Sequence, residues 1–88
     1  MISIEKIDNN HFTVKVSNNT ASKHNITLDD DDFFKYSLRN MSREKFIESS
    51  FKFLLDREPN TSILENFNFK VINNYFPEYE KKIHDYFD

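Results

Sequence analysis

Cysteine is absent from the 88 residues of the chain. Its absence excludes disulfide bonds, thiolate metal sites and a cysteine nucleophile. Glycine is absent as well, which excludes sites that need a bare backbone close to the ligand, such as P-loops, dinucleotide-binding fingerprints and the serine elbow of hydrolases. The sequence therefore favours binding over catalysis, and we expect neither an enzyme nor a bound cofactor.

Long apolar runs are also missing. No run approaches the roughly 20 residues of a membrane span, and residues 1–6 have neither the basic region nor the apolar stretch of a secretion signal. We therefore expect no membrane association and a cytoplasmic location. The length fits a single domain over residues 1–88, with strands in 1–28 and helices in 29–88.

A chain without glycine needs other residues at turns and helix ends. Asparagine and aspartate tolerate positive φ better than the remaining residue types. We expect this role among the asparagines at turn positions, which are Asn9 and Asn10, Asn18 and Asn19, Asn40, Asn60, and Asn73 and Asn74.

Aromatic residues are abundant, with ten Phe and four Tyr. Each of these rings can bury about 150–250 Å². A chain of this size buries only about 60–65% of the surface that it exposes when unfolded, so its core must be economical. We therefore expect the rings to form most of the core.

The first third of the chain alternates apolar and polar residues, as half-buried strands do. A turn at residues 8–10 separates the first two strands, and a polar linker over residues 18–23 precedes the third. The pattern predicts an antiparallel meander of three strands, around Ile2 and Ile4, at Phe12–Val16 and at His24–Leu28.

After Leu28 the apolar spacing becomes helical, and the acidic run Asp29–Asp32 suits the positive end of a helix. The chain is thus predicted to be an α+β protein with three to four helices packed on one face of the meander. In order, we expect a short helix ending near Asn40, a main helix over residues 43–57 capped by Ser42, a helical turn over residues 62–67, and two helices after Asn68 that Pro77 divides.

The apolar residues of the main helix span an arc of roughly 200°, which is wider than contact with one sheet requires. The arc is explained either by packing against the sheet and the later helices together, or by an edge that contacts a partner. On the second explanation, the candidate partner-binding residues are Phe53, Leu55 and Arg57.

No metal or catalytic cluster stands out. The acidic run Asp29–Asp32 lacks the central glycine and final glutamate of a calcium loop, so we expect a solvated helix start. His11, His24 and His84 are too scattered for a ligand motif, and we expect the first two to be exposed on strands.

A local basic group lies across the junction of the first two predicted helices. Its members are candidates for phosphate contacts, but the net charge of −3 disfavours a nucleic-acid partner. The basic residues are Lys35, Arg39, Arg43 and Lys45.

Three segments of the second half form a distinctive order: SFKFLLDREP at residues 50–59, SIL at residues 62–64 and YFPEY at residues 75–79. In this order the chain resembles a group of short bacterial proteins that have no assigned reaction, so the resemblance implies no activity and no site residue. Within these segments, Arg57 is placed either to pair with Glu78 or Glu65 or to offer a bidentate donor to a partner.

Taken together, these patterns predict a small protein-binding or regulatory module without catalytic activity, which engages another protein or itself as a homodimer. The alternative is a nucleic-acid-associated regulator that uses the basic group. An enzyme is the third reading.

Overall fold

The computed structural model describes residues 1–87, and we number its strands and helices in chain order. The strands are β1 (Ile2–Lys6), β2 (His11–Asn18), β3 (Thr20–Thr27) and β4 (Asn66–Asn68). The helices are α1 (Asp30–Tyr36), α2 (Arg43–Leu55), α3 (Lys70–Tyr75) and α4 (Tyr79–Lys82). Two turns of 3₁₀ helix complete the fold, at Asn60–Ser62 and Ile83–Tyr86.

The predicted α+β class is confirmed, and its sheet has one strand more than the sequence indicates. β1, β2 and β3 pair antiparallel in sequence order, and β4 lies beside β3 in parallel. The helical turn expected over residues 62–67 is wrong, because only Asn60–Ser62 forms a 3₁₀ turn. The backbone after it bonds to β3 instead: the Asn25 N–H donates to the Glu65 carbonyl at 2.7 Å.

Two asparagines take the conformation that glycine usually provides. Asn19 and Asn40 have φ values of 68° and 67°, and no other residue in 1–87 has a positive φ. At Asn19 the chain reverses within one residue, so β3 starts at Thr20. The polar linker expected over residues 18–23 is therefore wrong, since most of it belongs to β3.

The main helix α2 begins where the sequence predicts. The Ser42 hydroxyl accepts a hydrogen bond from the Lys45 backbone N–H at 3.0 Å, which satisfies one of the free donors of the first turn. The helix ends at Leu55, two residues before the predicted end. Most of its wide apolar arc is covered within the chain, while Leu55 at its end is half-buried. The side chains that are at most 3% exposed are Phe46, Ile47, Phe51, Phe53 and Leu54.

One face of the sheet and all four helices contribute to a single apolar core. Phe12, Val14, Val16 and Ile26 line the sheet side of this core and are buried. Aromatic residues near the end of the chain complete this core. Tyr79 is 1% exposed and packs edge-on against Phe53, with 5.1 Å between the ring centroids. No helix within residues 1–87 is long and apolar enough to cross a membrane.

Pro77 divides the last helical stripe in two, as predicted. It lies between α3 and α4, and the second helix starts at Tyr79. The Tyr79 hydroxyl and the Ser50 hydroxyl lie 2.8 Å apart inside the core, so the polar end of this ring has a hydrogen-bond partner. Burial raises the pKa of the Tyr79 phenol well above its usual range.

Candidate functional site

An open groove of about 340 Å³ lies between the segment that follows α2 and helix α3. Most of its lining is apolar. Leu64 is 46% exposed and Tyr75 is 65% exposed, although both are large apolar side chains. Half-buried rings and branched side chains make up the floor, among them Phe67, Val71 and Phe76.

A buried amide holds the first wall of this groove. Asn60 is 3% exposed. Its side-chain N–H groups donate to the Thr20 carbonyl at 3.1 Å and to the Ser22 hydroxyl at 3.0 Å, and its amide oxygen accepts from the Thr20 hydroxyl at 3.2 Å. These bonds join the 3₁₀ turn to β3, 40 residues earlier in the chain.

A buried histidine holds the next residues of the same wall. The ring of His24 is 1% exposed, and its Nδ1 lies 2.7 Å from the Leu64 carbonyl oxygen. A carbonyl can only accept, so Nδ1 carries the proton of this bond. In the neutral ring Nε2 then accepts from the Ser22 hydroxyl, which lies 2.8 Å away. The exposed position expected for His24 is wrong, because residues 60–65 cover that end of β3.

Glu58 is the one charged residue in the groove lining. Its side chain is half-buried, and it has no hydrogen bond or ion pair with any residue in the described part of the chain, 1–87. Partial burial raises the pKa of the Glu58 carboxyl above its ordinary value, since desolvation penalises the charged form. The groove therefore combines exposed apolar surface with a carboxylate that lacks a partner.

The three partner-binding candidates, Phe53 and Leu55 on α2 and Arg57 just after it, all have contacts inside the chain. Phe53 is fully buried in the core and presents no surface to a partner, and Leu55 is half-buried against the core. The Arg57 Nε donates to Glu78 at 2.8 Å, as the pairing prediction expects, and its Nη1 donates to the Phe53 carbonyl at 3.1 Å. The guanidinium also lies 3.6 Å from the centroid of the Phe53 ring.

These contacts also explain the ionisation of the pair. Burial disfavours the charged guanidinium, but hydrogen bonds to Glu78 and Tyr86 outweigh it and raise the pKa of Arg57. The same hydrogen bond from Arg57 lowers the pKa of the Glu78 carboxyl. Arg57 thus fastens the end of α2 to the start of α4, and its donors face the interior.

Three members of the basic group have acidic partners. Arg43 donates to Asp30 at 2.8 Å, Lys35 lies 3.8 Å from Glu80, and Lys45 lies 3.5 Å from Glu48. Arg39 is exposed. These ion pairs reduce the positive potential that phosphate contacts require.

The acidic run at the start of α1 is bound by cations of the chain itself. Lys70 contacts Asp29 at 3.0 Å and Asp32 at 2.6 Å. The hydrogen bond from Lys70 lowers the pKa of Asp29, and the one from Arg43 lowers the pKa of Asp30. Over residues 1–87, no group of three or more His, Cys, Asp or Glu side chains is placed to hold a metal ion.

No pattern in the sequence predicts the groove. Its walls come from two segments, one predicted as a helical turn over residues 62–67 and the other as the helical stripe after Asn68, and the structure brings them face to face. One signal is present: Glu58 precedes Pro59, and the residues three and four positions before it are Leu55 and Leu54, so no basic residue lies one helical turn earlier to pair with it.

Comparison with protein-family models, with curated proteins and with solved structures finds no match for this chain. The resemblance to short bacterial proteins therefore stays a prediction.

Proposed function

We propose that this chain is a small cytoplasmic protein-binding module without catalytic activity, and that its groove receives an apolar segment of a partner protein that carries a lysine or arginine. The observation that carries the proposal is Glu58, a half-buried carboxylate that has no partner among residues 1–87 and lies in a mainly apolar groove.

The apolar part of the proposed interface is already in place. Leu64 and Tyr75 flank the groove with about half or more of their side-chain surface in water. Burying such surface under a partner is favourable at roughly 25 cal/mol per Å² before the costs of association. Tyrosine is also among the residues that contribute most often to binding hot spots.

The carboxylate provides selectivity. A partner ammonium or guanidinium beside Glu58 forms a charge-assisted hydrogen bond, and such a bond is worth about 1.5–3 kcal/mol in a partly desolvated site. A partner acid at the same position meets like-charge repulsion. We therefore expect a preference for basic over acidic residues next to the apolar anchor.

The wall of the groove is rigid enough to receive a ligand at low entropic cost. The Asn60 side chain bonds to the backbone of β3, and the His24 ring of β3 bonds to the Leu64 carbonyl, so the 60–64 segment is held at both ends. A preorganised site loses less conformational freedom on binding than a mobile loop does.

The experiment is selection from a random 12-residue peptide display library on immobilised protein. Wild-type protein is expected to enrich peptides in which a lysine or arginine lies beside large apolar residues. The Glu58→Lys variant is expected to bind these peptides at least tenfold more weakly and to enrich an acidic residue in place of the basic one.

A matched control and a structural readout make this test specific. Phe34→Ser removes a side chain that is 69% exposed and lies on α1, outside the groove, and it should leave the selected peptides bound. Tyr75→Ser should weaken them. In nuclear magnetic resonance titrations the peptides should shift Leu64, Val71 and Tyr75. If wild type and Glu58→Lys select the same motif, the proposal is wrong.

A further inference from the structure

The outer edge of β1 is a row of backbone groups that have no hydrogen-bond partner among residues 1–87. The Ser17 N–H donates to the Met1 carbonyl and the Ile7 N–H donates to the His11 carbonyl, both at 2.9 Å. Hydrogen-bonded and non-hydrogen-bonded residue pairs alternate along an antiparallel ladder. Between these two points, Ser3 and Glu5 therefore bond inward to β2. The N–H and C=O groups of Ile2, Ile4 and Lys6 therefore point away from the sheet.

This edge is short and carries two charged side chains, Glu5 and Lys6, but it lacks two other common protections against pairing. β1 contains no proline and pairs with β2 one residue for one residue, without a bulge, over all five of its positions. Its core-facing side chains Ile2 and Ile4 are only half-buried. The opposite edge of the sheet is β4, which has three residues.

We propose that a second copy of the chain pairs antiparallel with β1, with the two-fold axis at Ile4, to form a continuous eight-stranded sheet. In this register Ile4 faces Ile4 of the second copy, and Ile2 faces Lys6 at both ends. Each of these three pairs joins outward-pointing residues on both strands, so each exchanges two hydrogen bonds.

The alternating backbone selects this register. Shifting the second strand by one residue would place outward-pointing groups opposite inward-pointing ones and would break the ladder. If the axis is centred on Ser3, no residue of the second strand lies opposite Lys6. If it is centred on Glu5, two carboxylates lie opposite each other, which is unfavourable. With the axis at Ile4, Glu5 lies opposite the Ser3 hydroxyl and Ile4 opposite an isoleucine.

The proposed dimer is independent of the groove. Phe67 of β4 lines the groove, and β4 and β1 are the two opposite edges of the sheet. Pairing through β1 thus leaves both grooves open and makes the module bivalent. A contact through five residues is small, so we expect a dissociation constant on the order of 100 µM.

The absence of cysteine allows a direct test of the register. Ser3 and Glu5 are exposed on the open face of the sheet. In the proposed register they form a pair without mutual hydrogen bonds, with Cα atoms about 4.5 Å apart, a distance that suits a disulfide. Mixed Ser3→Cys and Glu5→Cys chains should therefore form a mixed disulfide dimer in a glutathione buffer, at least tenfold more than either variant alone.

The control is Asn66→Cys, an exposed position on the β4 edge, which should not cross-link. Equal cross-linking by Ser3→Cys alone or by Asn66→Cys would overturn the register and the edge, respectively. Sedimentation equilibrium provides the second measurement: the mass of the unmodified chain should rise from 10.7 kDa toward twice that value as concentration approaches 1 mM. A constant monomer mass would refute the proposal.

Ile4→Pro gives the same test through the backbone. The Ile4 N–H points outward, so proline at this position costs β1 no hydrogen bond to β2, while it removes the central donor of the dimer. We expect a folded monomer at every concentration. A variant that is folded by circular dichroism and still dimerises would contradict the pairing.

Discussion

Asn60→Ala tests whether the groove wall depends on one buried amide. The substitution removes the two bonds that the Asn60 amide donates, to the Thr20 carbonyl and to the Ser22 hydroxyl, and the one that it accepts from the Thr20 hydroxyl. Asn60 is 3% exposed and Ser22 is half-buried, so water does not readily replace these partners. Thr20 is exposed and can bond to water instead.

The expected cost follows from which partners stay unpaired. A buried polar group left without its partner costs about 1–3 kcal/mol. The Ser22 hydroxyl loses the bond that it accepts from Asn60 but keeps its bond to His24. The three bonds that Asn60→Ala removes, with the solvent-accessible Thr20 groups at the low end of the range, should together cost about 2–3 kcal/mol. A chain of this length has roughly 4–13 kcal/mol of stability in total. The melting temperature should therefore fall by roughly 10–20 °C.

Two measurements follow this change. Urea unfolding monitored by circular dichroism gives the loss of stability, and native-state hydrogen exchange gives its location. The Asn25 amide, which bonds to the Glu65 carbonyl across β3 and β4, should exchange faster because the wall no longer holds this edge. Thr61→Ala is the matched control, since Thr61 is exposed and adjacent. It should change stability by less than about 0.5 kcal/mol.

A double-mutant cycle with Ser22→Ala separates the bond from general disruption. If the two side chains interact, the double variant should be less destabilised than the sum of the single ones, by about 1 kcal/mol. A loss below about 0.5 kcal/mol for Asn60→Ala, or unchanged exchange at Asn25, would refute the reasoning.

Three further predictions concern Arg57 and Glu58, which follow α2, and Asn40, which lies between α1 and α2. Arg57→Met should cost about 1–2 kcal/mol in urea unfolding, against little for the exposed Lys52→Met. The pKa of Glu78 is lowered in the fold, so its ion pair with Arg57 contributes fully above the ordinary carboxyl pKa. The difference in unfolding free energy between wild type and Arg57→Met should therefore shrink as pH falls through the lowered pKa. A difference that persists at pH 2 would contradict the pairing. Since burial raises the pKa of Glu58, Glu58→Gln should be slightly more stable than wild type at neutral pH, with the gap closing in acid, while it weakens peptide binding. Asn40→Ala should cost about 1 kcal/mol and Asn40→Gly much less, and equal losses would show that positive φ is not the cause.

Much of the fold follows from local signals in the chain. Alternation placed the meander, Ser42 marked the start of α2, and a chain without glycine pointed to asparagine for positive φ, which Asn19 and Asn40 adopt. Each of these features is decided by residues near in sequence or by backbone preference alone. The pairing of Arg57 with Glu78 differs: the sequence offered both Glu78 and Glu65, and the tertiary structure selects Glu78, which lies 21 residues away.

The candidate site, in contrast, depends on contacts between segments that are distant in sequence. The short strand β4 has no strand pattern of its own, and it forms because β3 offers free hydrogen-bonding groups to it. The segment that leads into β4 covers His24, and Phe67 of β4 lines the groove together with Glu58. The sequence by itself determined the class, the caps and the turns, because their energies are local. Only the tertiary structure decided which apolar residues stay exposed and which half-buried carboxylate lacks a partner among residues 1–87, because both depend on contacts between segments distant in the chain, some about 40 residues apart.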